Sequence, residues 1–92
     1  MKYSHKVKEY EFSKDFLDII SLGKYLLILF DDNSMVLFHC GKFEIEETYT
    51  LDRKTKRIFH PITYLNKILC YSENNLFLFN FNSGVEIFNY VD

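Results

Sequence analysis

K-Y-L-L-I-L-F-D-D-N-S-M-V-L-F-H-C-G, residues 24–41, is two apolar runs of strand length around a short polar break, the layout of a β-hairpin. Aliphatic, β-branched and aromatic side chains fill both runs. The D-D-N-S break supplies Asp, Asn and Ser, which bond locally to the backbone, and its Asn accepts the left-handed conformation a tight turn requires.

Working outward, the same grammar predicts strands at residues 16–20, 25–30, 35–39 and 43–50, with S-L-G-K and C-G-K as the other breaks. After L-D-R-K-T-K-R, residues 51–57, the order returns as 58–60, 68–71, 76–81 and 85–90. Lys24-Tyr25-Leu26 aligns with Lys67-Ile68-Leu69, and Gly41 with Gly84, both at an offset of 43. Met35 and Leu76 lie 41 apart because the hairpin turns between them differ. Four strands in a period of about 40–45 residues is the spacing of a β-propeller blade. One eight-stranded barrel or sandwich has the same strand count, and the self-similarity favours blades.

Residues 25–30 and 76–81 are almost continuously apolar, so both faces of these strands should be covered, as happens between neighbouring blades. Residues 11–20, where Phe12, Phe16, Leu17 and Ile20 could share one face, offer the one helical alternative. The expected fold is therefore all-β: antiparallel four-stranded blades of a β-propeller, of the WD-repeat type by the resemblance given below, about two of them, in an incomplete ring. A segment at 1–15 that could pair at a sheet edge precedes a first unit at 16–51. A basic inter-blade loop at 52–57 leads into a second unit at 58–92. Two blades alone leave apolar faces uncovered, which predicts self-association to complete a propeller or binding to other propeller chains.

The chain has 92 residues, 48% apolar and 18% aromatic, with ten Phe, seven Tyr and no Trp, Ala or Gln. That is room for one modest core and too little for a whole propeller. A net charge of −2 encodes no global attraction to nucleic acid or anionic membrane, so any such role must lie in a local patch. The polar start M-K-Y-S-H-K-V-K is unlike a secretory signal, and the longest apolar run, 25–30, is far too short to span a bilayer. A soluble intracellular protein without membrane contact is expected, its Cys40 and Cys70 being free thiols inside apolar runs.

Chemistry-bearing residues are sparse. His5, His39, His60 and the two cysteines lack metal-ligand spacing, and His39 and Cys40, adjacent on a strand, point to opposite faces. No nucleophile, base and orienting group can be named together, so neither a catalytic site, a metal nor a cofactor is expected. Asp31-Asp32 reads as a turn, and Glu46-Glu47 as the solvated face of an outer strand that protects a sheet edge. The cluster that suggests a function is Arg53, Lys54, Lys56 and Arg57, four cations in five positions, suited to phosphate contacts with RNA. Solvation alone is its simpler explanation.

Residues 60–69, H-P-I-T-Y-L-N-K-I-L, followed by S-E-N-N-L-F-L-F-N-F-N-S-G-V-E-I-F at 72–88, resemble one blade of the U3 small nucleolar RNA-associated protein 21 family. That family is a WD-repeat component of the UTP-B subcomplex of the small-subunit processome. Its pattern is matched by His60, Pro61, Thr63, Tyr64, Leu65, Asn66 and Lys67 and runs on through Ile68 and Leu69. L-L-I-L-F-D-D-N-S-M-V-L-F, residues 26–38, resembles the preceding blade less specifically. Phe79 stands where the family usually has Trp, and Asn75 where it has a hairpin Gly. The resemblance implies a non-catalytic scaffold in ribosome biogenesis and pre-18S rRNA processing in the nucleolus, with other WD-repeat proteins, U3 snoRNA and pre-rRNA as partners. Family members carry two propellers and a helical C-terminal region, whereas this chain spans about two blades. The alternative is a self-contained small β module that binds a protein through a sheet edge or an apolar face.

Overall fold

The computed structural model describes residues 7–60, 67–72, 76–81 and the backbone of 84–86. They form two antiparallel four-stranded sheets in plain sequence order. The first contains β1 (Phe16–Leu22), β2 (Tyr25–Phe30), β3 (Ser34–His39) and β4 (Glu44–Thr50). The second contains β5 (Arg57–Phe59), β6 (Lys67–Tyr71), β7 (Leu76–Asn80) and β8 (Gly84–Glu86). No helix occurs among the described residues, and the sheets do not close into a ring.

Turn chemistry sets the registers. Gly23, at φ 63°, takes the first central position of a two-residue loop and pairs Leu22 with Tyr25. Asn33, at φ 66°, turns the chain between β2 and β3. Between β3 and β4, His39 Nδ1 accepts the Lys42 N–H at 2.9 Å, and a Cβ on Gly41 would come within 3.0 Å of that imidazole.

Two register shifts decide which side chains meet. Opposite Leu37 and Phe38, β4 carries one extra residue, Glu46, so that Glu47 pairs with Leu37 and Ile45 with Phe38. Without this bulge Glu46 would oppose Phe38 on an apolar face. A second shift, at Leu17, puts Phe16 opposite Phe30 and Asp18 opposite Leu29.

The main core lies between the sheets. Leu27, Leu29 and Met35 of the first pack with Ile58, Ile68, Cys70, Phe77 and Phe79 of the second, and Leu51 joins them from the connecting segment. Tyr49 sits against Phe79 and Phe81, with ring centroids 5.1 and 5.4 Å apart. This accounts for one face of β2.

The other face of β2 is covered differently from the expectation of a neighbouring sheet. Residues 7–15 add no edge strand and form no helix; they cross the outer surface of the first sheet. Phe12 reaches Phe30 at 5.3 Å and Phe16 at 5.5 Å, and Tyr10 reaches Phe38 at 5.0 Å. Ile28, Phe30, Val36 and Phe38 are buried beneath this strap. Phe43, at φ 57°, completes the cluster against Phe38. Lys14 latches the strap: its Nζ is 2.7 Å from Asp32 Oδ2 and 3.0 Å from Ser34 Oγ, above the Phe30 ring.

Candidate nucleic-acid interface

The basic segment is held at three points. Leu51 N–H donates to the Asn33 carbonyl at 2.8 Å, Thr55 N–H to Asn33 Oδ1 at 3.2 Å, and Lys56 N–H to the Tyr71 carbonyl at 2.9 Å. Thr55 is fully buried, so the four cations are split by an inward anchor and do not form a continuous stripe.

They also differ in role. Arg53 turns onto the protein: its guanidinium is 5.9 Å from the Phe77 ring centroid and its Nε is 3.8 Å from Asp52 Oδ1. Lys54, Lys56 and Arg57 are exposed. Arg57 belongs to β5 instead of the connecting loop, so the basic run continues into the second sheet.

Alternation along β5 sends Ile58 into the core and turns Arg57 and Phe59 to the opposite face. Register sets Arg57 opposite Tyr71 and Phe59 opposite Leu69. The Phe59 and Tyr71 rings stack with centroids 5.0 Å apart and planes at 23°. Sequence reasoning overlooked this exposed ring although R-I-F alternation carried the signal: with Ile58 inward, Phe59 must face outward.

Of the motif residues that carry the family resemblance, His60 follows β5 with its Nε2 buried and without a hydrogen-bond partner among the described residues. Lys67 opens β6 opposite Asn80. Pro61, Thr63, Tyr64, Leu65 and Asn66 lie outside the described residues.

The remaining candidates have structural partners. Lys14, then Ser34, hold the Asp32 carboxyl below its ordinary 3.8, at about 2. Tyr25 and then Lys42 lower Glu46, against some desolvation. Cys40 is exposed, while burial pushes the Cys70 thiol up to about 12. No three His, Cys, Asp or Glu side chains converge among the described residues. No protein-family model matches the chain, and no curated protein is significantly similar to it.

Proposed function

We propose that the chain is a pair of WD-repeat-type blades acting as a non-catalytic scaffold in small-subunit ribosome assembly. The observation that carries the blade half is the tandem of two four-stranded meanders with the same strand order, packed face to face through a shared core. The ribosomal half rests on the resemblance of residues 60–69 to the U3-associated family. Its partners would be other WD-repeat proteins, U3 snoRNA and pre-rRNA in the nucleolus. In such a role the sheets position surfaces and carry out no reaction. The experiment is gradient sedimentation of a tagged chain from cells. Co-migration with pre-ribosomal particles and recovery of WD-repeat proteins is expected, and migration only as a free monomer would count against the scaffold.

The strap favours a second reading, a self-contained β module. Tyr10 and Phe12 cover a face that a preceding blade would otherwise occupy, so the first sheet needs no neighbour on that side. This predicts a cooperatively folding monomer at micromolar concentration. A defined trimer or tetramer by native mass spectrometry would instead favour copies completing one ring.

A further inference from the structure

Phe59 is 48% exposed, and its ring is already fixed by stacking on Tyr71. Arg57 shares its sheet face, and Lys54 and Lys56 are exposed on the segment that leads into β5. A pre-ordered pair of rings with Arg57 on the same sheet face, and two exposed lysines on the segment leading into it, has the two parts that single-stranded nucleic acid needs: a π surface for an unstacked base and positive charge for the flanking phosphates. A protein docking on the same rings would have to bring matching carboxylates, whereas every nucleotide brings its own anion.

We propose that Phe59 and Tyr71, with Arg57, Lys54 and Lys56, form a stacking platform for single-stranded RNA. The platform stands on geometry and charge alone; only the choice of RNA over DNA rests on the ribosome-assembly reading. It refines the expectation for the basic cluster, because Arg53 is excluded and an aromatic pair is added.

The test is fluorescence anisotropy of the full chain with a short labelled oligouridine across a salt series. Binding should weaken as salt rises. Phe59→Leu, which keeps apolar area and loses the ring, should weaken it about five-fold or more, and Phe59→Trp should retain it. The triple variant K54S/K56S/R57S should flatten the salt slope by about two. Protection of Cys70 from alkylation shows that each variant is folded. Equal affinity of the Leu and Trp variants, equally tight binding of duplex RNA, or no binding at low salt would overturn the platform. Tighter binding of oligodeoxythymidine would overturn the assignment to RNA. None of these outcomes depends on whether the chain enters a pre-ribosomal particle.

Discussion

Asp18 of β1 joins the two sheets: its Oδ2 accepts the backbone N–H of Ile58 in β5 at 3.1 Å, while its Oδ1 accepts the N–H of Ile19 at 3.0 Å. The bulge at Leu17 turns Asp18 to the inter-sheet side, and Ile58 lies at the edge of the second sheet. An edge N–H that lacks a strand partner is thereby satisfied by a carboxylate. Asp18→Ala should destabilise the chain by about 1–3 kcal/mol in urea denaturation. Asp18→Asn should cost less, since one amide oxygen can still serve one of the two donors. Equal stability of Ala and wild type would show that the sheets do not depend on this bridge.

Asn33 has two functions, a left-handed turn and an anchor for the buried Thr55. Asn33→Gly keeps the backbone conformation and removes the side-chain acceptor, for a cost of about 1–2 kcal/mol. Asn33→Ala adds the left-handed penalty of about 1 kcal/mol more. The order wild type, Gly, Ala in thermal midpoints checks this, and Ala above Gly would contradict it.

Acid should loosen the strap. The Asp32 carboxyl is lowered from 3.8 to about 2, first by Lys14 and then by Ser34. A carboxylate depressed in the folded state contributes stability that is full above its unfolded value and is lost as pH falls through the folded one. The loss attributable to this latch therefore lies between about pH 4 and pH 2. Asp32→Asn and Lys14→Met should each show a shallower decline in urea midpoint over that range than wild type. Parallel curves would dissociate the latch from acid stability.

Removing the strap's central ring tests what covers the first sheet. Phe12→Ala deletes a half-buried aromatic side chain, worth about 1–3 kcal/mol with its ring contacts. It also uncovers Phe30 and Phe38, which are 1% and 5% exposed in the intact chain. Sedimentation velocity should then show association that wild type lacks at the same concentration. A variant as stable and as dispersed as wild type would mean that the strap is dispensable.

The two thiols should report separately. Iodoacetamide at neutral pH should modify Cys40 in the folded chain, whereas Cys70, buried between the sheets and pushed up to about 12, should react only at the rate of core opening. Mass spectrometry of the alkylated peptides distinguishes them. Equal rates would place Cys70 outside the shared core.

The strands were legible in the sequence because their signal is local. Residues 25–30 coincide with β2, and Gly23 and Asn33 mark turns whose backbone demands could be read from residue type. Which side chains of β4 share a face was not legible, since the extra residue at Glu46 reverses alternation without changing composition. The basic cluster was visible as charge, yet its division was not. Whether Arg53 turns inward and Thr55 is buried depends on Asn33 and Phe77, which are distant in the chain.

By itself the sequence determined an all-β chain of tandem four-strand units, because strand formation and turning depend on side chains a few residues apart. Tertiary structure alone decided what covers each sheet. The strap of residues 7–15 has no periodicity that would announce its destination, and it finds one because Phe30 and Phe38, left uncovered, would offer more apolar area than water allows to remain open. The same holds for Asp18 and Ile58 and for Phe59 on Tyr71, contacts made only once the sheets are in place.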